Sequence, residues 1–486
     1  MNGSMILFIL GYVLRIEGLL MLPSAAVGLY YREPQGWAYL AVGILCVILG
    51  TRFSRERPKN TVFYLKDGCV ATALSWIVMS MFGALPFMLT GEIPSFTDAM
   101  FETVSGFTTT GASILTDVEA MCRCSLFWRS FTHWIGGMGV LVFLLAVVPL
   151  SGGSHFNLMR AESPGPSVGK LVPKVKATAR ILYLIYIGMT LIMIGLLFKD
   201  MPLFDAVLSS FGTAGTGGFG IKADSFAGYS AYSQWIVTIF MILFGVNFNA
   251  YYFILYRKFR KVGEMEEVRW YFLIILAAIL IIFVDIVRIY GTAFEALTHA
   301  AFQVASIITT TGFATADFNL WSQTSKLTLV LLMFIGACAG STGGGIKVSR
   351  ITLLVKTMAR EMYSYIHPKS VRSVKMDGKP VDNAMIHSVC VYLTTFLLLF
   401  CASVFIVSLE GRDLVTTVTA VIATINNIGP GLELVGPAGN FSMLSLLTKW
   451  TLIFDMLAGR LELFPLLILF HPALWRDSFS RQTEKH

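Results

Sequence analysis

Apolar runs long enough to cross a bilayer recur ten times in this chain. They lie near residues 5–30, 36–51, 68–90, 126–150, 180–198, 232–256, 270–290, 324–346, 385–409 and 447–471. A hydrocarbon core about 30 Å thick takes roughly 20 helical residues. Inside lipid every backbone N–H and C=O must be satisfied within the protein, so such runs fold as helices. An all-α polytopic membrane protein follows. Composition agrees: 55% of the 486 residues are hydrophobic and 14% charged, against about 25% charged in soluble proteins. An ordinary soluble protein, disorder and coiled coil are excluded together. No charged n-region or small-residue cleavage site accompanies the first run, so it reads as a retained helix.

The net charge of +8 raises the question of nucleic acid, and the placement of the basic residues answers it. Let the chain start in the cytoplasm and each run cross once. The inside segments 51–66, 151–180, 257–269, 347–384 and 475–486 then carry 26 Lys and Arg, and the outside segments and span ends carry nine. That bias is what the positive-inside rule produces. The basic excess faces anionic lipid, nucleic acid is not a partner, and both termini are cytoplasmic. Of seven Cys, only Cys122 and Cys124 are close together, at a spacing no metal motif uses, and they read as loop residues.

Between some of the spans lie apolar stretches too short to cross and too apolar for a water-exposed loop. The first runs from Asp98 to Ser113 and contains Thr108-Thr109-Thr110-Gly111; the third runs from His299 to Ala314 and contains Thr309-Thr310-Thr311-Gly312. The second runs from Asp205 through Gly217-Gly218 to Gly220. The fourth, the most diverged, runs from Thr416 through Asn426-Asn427-Ile428-Gly429 to Gly431. About 13 helical residues before the Gly reach about 20 Å. Each unit therefore reads as span, half-helix, Gly-bearing return loop, span. Four such span–half-helix–span repeats predict a pseudo-fourfold arrangement around one pore. The N-terminal pair of helices occupies 1–60, and the repeats occupy 61–160, 161–262, 263–375 and 376–486.

Irregular backbone at membrane depth must be buried or line a water-filled cavity. Four loops on one axis would set carbonyls around a hole, which is how a protein replaces the water shell of an alkali cation. The candidate ring is Thr110, Gly111, Gly217, Gly218, Thr311, Gly312, Ile428 and Gly429. None of these is a carboxylate, so a weakly hydrated monovalent cation is favoured over Ca²⁺ or Mg²⁺. Two gate candidates follow the ring. Gly336, Gly340, Gly343, Gly344 and Gly345 fall within ten residues of the eighth span, and each costs a helix about 1 kcal/mol, so an unwound plug is expected there. Arg460 lies mid-span, where a cation needs a partner or water. It either faces the pore or pairs with Asp455 or Glu462. Asp98, Glu102 and Asp205 read as half-helix N-terminal acids or as cation attractants. Arg15 and Glu17 read as a local pair.

These residues resemble the TrkH/TrkG/KtrB family of potassium-translocating subunits, and within it the bacterial TrkH branch. The likeness rests on Thr-Thr-Thr-Gly at 108–111 and 309–312, Trp134-Ile-Gly-Gly-Met-Gly139, the run Gly336 to Lys347, and Asp455-Met-Leu-Ala-Gly-Arg460-Leu-Glu462. It implies a K⁺ pathway in the bacterial inner (plasma) membrane, a homodimer, and cytoplasmic nucleotide-binding TrkA-type regulatory subunits. Gly at all four ring positions implies K⁺ preference, and Arg460 a pore role. K⁺ is the transported ion, and no organic cofactor is expected on this chain. Gly165-Pro-Ser-Val-Gly169-Lys170 lacks the spacing of a phosphate loop and reads as a cytoplasmic connector. The alternative is a symporter driven by H⁺ or Na⁺, with Asp285, His299 and Asp455 as candidate relays. An intramembrane enzyme lacks any catalytic constellation here.

Overall fold

The computed structural model describes residues 1–56, 58, 63–147, 175–370 and 372–475. The connector at 165–170, most of the inner segment 151–180 and the C-terminal basic residues lie outside them.

Helices Gly3–Leu20 and Leu22–Tyr31 run head to tail, broken at Met21, and pair with Gly36–Phe53. Small residues let the two backbones touch. A Cβ on Gly18 would lie 2.5 Å from Gly43 O, and one on Gly50 2.5 Å from Gly11 O. Gly11 and Gly18 are seven apart, as are Gly43 and Gly50, so the two pairs meet two turns apart along the seam. Arg15 and Glu17 do not form the expected pair. Arg15 reaches Ser54 at 3.4 Å and lies over Tyr12, while Glu17 is buried beside Gly83. Residues two apart on a helix face different ways.

Six helices among the described residues are long and apolar enough to cross a membrane, and seven if Ala231–Phe244 and Phe248–Leu255, bent by 92°, count as one. Ten spans were expected, the eighth with an unwound stretch; of the four outside these six, one is the continuous helix Arg123–Val147 and the other three are broken locally. The helix in the sixth expected span bends at Gly245-Val246-Asn247, where Asn247 caps the next helix by accepting the Asn249 N–H. The eighth is helical only over Gln323–Ile335 and resumes at Val348–Ile366. The tenth stops at Arg460, where Glu462 (φ 57°) and Leu463 (φ 67°) turn left-handed. Non-helical backbone at this depth survives because it is packed in protein: Ala337, Cys338 and Leu463 are fully buried.

Four short apolar helices recur along the chain: Phe96–Phe107, Leu203–Ala214, Ala293–Ile308 and Leu414–Ile425. Three begin on a side-chain cap, with Ser95, Thr292 and Asp413 accepting the N–H three residues on. At Asp413 that bond holds the carboxyl below the usual carboxylate range. The 12-residue helices reach about 18 Å and the 16-residue helix about 24 Å.

Candidate ion pathway

The four short helices end alike. The next residue but one is left-handed: Thr109 (φ 55°), Thr216 (53°), Thr310 (57°) and Asn427 (55°). The N–H after it folds back five residues, Thr110 to Ser105, Gly217 to Gly212, Thr311 to Ser306 and Ile428 to Ala423, at 2.8 Å each time. The left-handed residue's own N–H reaches back three residues, as Thr109 does to Gly106 at 3.1 Å. This is the Schellman pattern, which satisfies helix-end carbonyls and turns the chain off the helix axis. A non-Gly residue in this region costs roughly 1–2 kcal/mol, and the cost recurs four times.

Two residues further on the chain turns left-handed again at Gly111 (φ 79°), Gly218 (76°), Gly312 (85°) and Gly429 (105°). A Cβ on Gly111 would lie 2.0 Å from Gly217 O, one on Gly218 1.8 Å from Thr311 O, and one on Gly312 2.1 Å from Ile428 O. On Gly429 it would lie 2.7 Å from Thr110 O. The first loop thus touches the second, the second the third, the third the fourth and the fourth the first. All eight candidate ring residues meet in one closed cycle. A cavity of about 180 Å³ opens on it, touched by Gly111, Gly218, Gly312 and Gly429.

Neighbouring elements explain where the second and fourth loops depart from Thr-Thr-Thr. A Cβ on Gly217 would lie 1.9 Å from His133 Nδ1, so the buried imidazole, 4.1 Å from the Phe219 ring by centroids, fills the space of a side chain. In the fourth loop Asn427 Nδ2 donates to Thr110 Oγ1 at 3.0 Å and to Met456 O at 2.9 Å. Sequence reasoning missed both His133 and Asn427. His133 stands beside the Trp134-Ile-Gly-Gly motif, and that adjacency was the available signal.

Under the third and fourth loops lies the unwound stretch from Gly336 to Lys347. Gly344 N–H donates to Thr310 Oγ1 at 2.6 Å, and a Cβ on Gly344 would lie 2.4 Å from Asn426 O. A Cβ on Gly343 would lie 2.9 Å from Thr309 O. Buried Glu267 holds the stretch from the side, accepting Ala339 N–H at 2.6 Å and Ser349 N–H at 3.1 Å. Gly336, Gly340 and Gly345 all have positive φ. Arg460 donates to Thr342 O at 3.1 Å and to Gly136 O at 2.5 Å. It therefore ties the unwound stretch to the helix Arg123–Val147, beside the end of the first short helix. The two acids weighed as its partners are engaged elsewhere: Glu462 pairs with Arg350, and Asp455 accepts Ser403 at 2.7 Å. Lys347, counted from sequence among the inner loop charges, is buried and donates to Gly343 O.

The outer acids need one correction. Glu102 is not at a helix end; it is buried behind the first loop, 2.5 Å from Arg129 Nε. Arg129 also donates to Gly220 O at 2.8 Å and to Ser113 Oγ at 3.1 Å, and lies over Phe219. Asp98 bonds Lys449 at 2.6 Å and Asp205 accepts Tyr229 O–H at 3.0 Å. Asp285 accepts Ser322 and Ser325, and His299 Nδ1 meets Thr315 Oγ1 at 2.9 Å.

Comparison with known proteins bears on this geometry. A family model described as a cation transport protein, TrkH, matches residues 38–481. The Trk system potassium uptake protein TrkH of Salmonella typhimurium is 36% identical over 478 residues, covering 96% of this chain and 97% of that protein. TrkH of Halomonas elongata is 36% identical, covering 98% and 100%. TrkG of Escherichia coli is 32% identical, covering 96% and 97%. The crystal structure of the potassium transporter TrkH from Vibrio parahaemolyticus superposes with a TM-score of 0.88 at 32% identity, covering 98% of this chain and 100% of that one.

Proposed function

The chain belongs to the TrkH family of cation transport proteins, and we propose that the closed cycle of Gly-bearing loops is its K⁺ selectivity filter. The chain itself is a multi-pass inner-membrane subunit of a Trk potassium uptake system, a transporter and not an enzyme. The pathway is formed by four pore repeats, 61–160, 161–262, 263–375 and 376–486, in pseudo-fourfold arrangement, with the N-terminal pair outside them. The carbonyls of Thr110, Gly217, Thr311 and Ile428 stand in for the water shell of K⁺. The observation that carries this reading is the cyclic contact of each filter Gly with the carbonyl before the next. Both termini face the cytoplasm, where TrkA-type nucleotide-binding subunits dock on a homodimer.

The stretch from Gly336 to Gly345 is the gate, and Arg460 is its latch. Bound to Thr342 O and Gly136 O, its guanidinium holds the stretch under the filter and opposes a cation there, where low dielectric enlarges the barrier. A gated conduit is favoured over H⁺- or Na⁺-coupled symport, because Asp285, His299 and Asp455 each bond a separate hydroxyl group rather than one another and so form no relay chain. Rb⁺ flux into liposomes of purified protein tests this. Arg460→Ala, or deletion of residues within 336–345, is expected to raise flux several-fold with Rb⁺ over Na⁺ preference kept. Reduced flux with a lowered melting temperature in both variants would show that the stretch is packing and Arg460 purely structural.

A further inference from the structure

The cysteine pair set aside from sequence acquires two acidic neighbours in three dimensions. Cys122 and Cys124 flank Arg123, at the start of the 25-residue helix Arg123–Val147. Their sulfurs are 3.2 Å apart, well beyond the roughly 2.05 Å of a disulfide. Glu33 arrives from the turn between the N-terminal helices. One of its carboxylate oxygens and the two sulfurs all lie within 4.8 Å of one another. The four atoms around a tetrahedral zinc with Zn–S bonds near 2.3 Å sit about 3.8 Å apart, so small side-chain movements suffice.

We propose that Cys122, Cys124 and Glu33 form a binding site for a thiophilic divalent cation of the Zn²⁺ or Cd²⁺ type, with water as fourth ligand. The donor chemistry selects this class: two sulfurs and one carboxylate suit zinc and exclude K⁺, Mg²⁺ and Ca²⁺, which take oxygen. The surroundings orient each ligand. Glu33 accepts the Arg123 N–H at 2.9 Å and the Cys124 N–H at 3.0 Å, leaving its other lone pairs for a metal. Cys122 Sγ bonds Ser125 Oγ at 3.1 Å, and Ser125 in turn donates to Glu92 at 2.5 Å and receives Tyr39 O–H at 2.8 Å. Glu92 also accepts the Cys122 N–H at 2.7 Å. Such outer partners tune metal affinity as strongly as they orient ligands. On binding, each thiol releases its proton to solvent. Arg123, between the two cysteines, lines a cavity of about 830 Å³. A metal here would staple the N-terminal helix pair to the helix behind the first return loop. The site is independent of the ion pathway, and neither stands or falls with the other.

The test uses full-length protein carrying Cys390→Ser and Cys401→Ser, which removes the exposed thiols. Reduced and stripped of metal by chelator, it is titrated with Cd²⁺ while the thiolate-to-cadmium charge-transfer band in the ultraviolet is recorded. One Cd²⁺ per chain is expected, displaced by Zn²⁺, with a rise in melting temperature. Cys122→Ser and Cys124→Ser should lose the band, and Glu33→Gln should weaken binding at least about tenfold. Rb⁺ flux in each variant verifies folding, and Glu33→Gln carries the test if a Cys variant fails to fold. No band in the parent, or an unchanged band in Cys122→Ser, overturns the site. So does quantitative closure of the pair to a disulfide in air by a reduced form that takes up no Cd²⁺.

Discussion

In the first and third return loops a threonine pair bonds hydroxyl to hydroxyl, Thr108 with Thr110 and Thr309 with Thr311, each at 2.8 Å. The same positions hold Gly215 and Gly217 in the second loop, and Asn426 and Ile428 in the fourth. Yet the backbone is the same in all four, to within 4° in φ at the first left-handed residue. The hydroxyl brace is therefore one of several ways to hold one backbone shape. The second loop is supported from outside by His133, which takes the volume its glycines leave. The fourth is supported by Asn427, which binds both Met456 and the first loop. What recurs is main-chain geometry: a Schellman turn, then a glycine seated on a neighbour's carbonyl.

The hardest blow to that equivalence is a side chain at the glycines themselves. Serine should reduce the Rb⁺ over Na⁺ flux ratio most at Gly218, then at Gly111 and Gly312, by about tenfold or about 1.4 kcal/mol. Gly429, whose nearest carbonyl is 2.7 Å away rather than about 2 Å, should lose least. Ratios unchanged from wild type in all four serine variants would mean that the loops do not form the filter. Next comes Asn427→Ala, which strands Met456 O and is expected to cost about 1–3 kcal/mol, read as a lower melting temperature. Breaking the brace alone is milder. Thr108→Val and Thr309→Val should each cost about 0.5–1.5 kcal/mol, with selectivity close to wild type because the Schellman turn remains. A loss of selectivity here would make the hydroxyls part of the filter.

The smallest effects should differ in sign between two loops that look identical in sequence. Thr109 Oγ1 has no hydrogen-bond partner, so Thr109→Gly removes left-handed strain and should raise stability by less than about 1 kcal/mol. Thr310 Oγ1 accepts the Gly344 N–H, so Thr310→Gly should lower stability and raise basal flux. Two melting curves and two flux traces distinguish them, and the same sign in both would remove the gate contact from the account.

Which parts of this were readable in advance follows from physical range. Membrane spans and the short stretches between them declare themselves through local hydropathy, and the Thr-Thr-Thr-Gly pair exposes its repeat by identity. The Gly-rich break in the eighth span was visible for the same reason, since propensity acts locally. The breaks at Asn247 and after Arg460 were not, because single caps and left-handed turns in apolar surroundings leave little trace in hydropathy. Nor was the burial of Glu102: its partner Arg129 is 27 residues away on another helix, and the two meet only through packing. The cost of Arg460 in lipid demands a partner or water, but its carbonyl partners Thr342 and Gly136 come from two distant segments and leave no local trace.

The bond from Gly344 N–H to Thr310 Oγ1 joins the proposed gate to a residue beside the ring. Two equilibria that share a contact are thermodynamically linked, and the linkage is reciprocal. If withdrawal of the glycine-rich stretch frees Thr310 and weakens ion occupancy in the ring, an ion bound in the ring must hinder that withdrawal by the same factor. Permeant-ion concentration then becomes a ligand for the gate. Opening would report the ion supply as well as the regulatory signal, through a single hydroxyl.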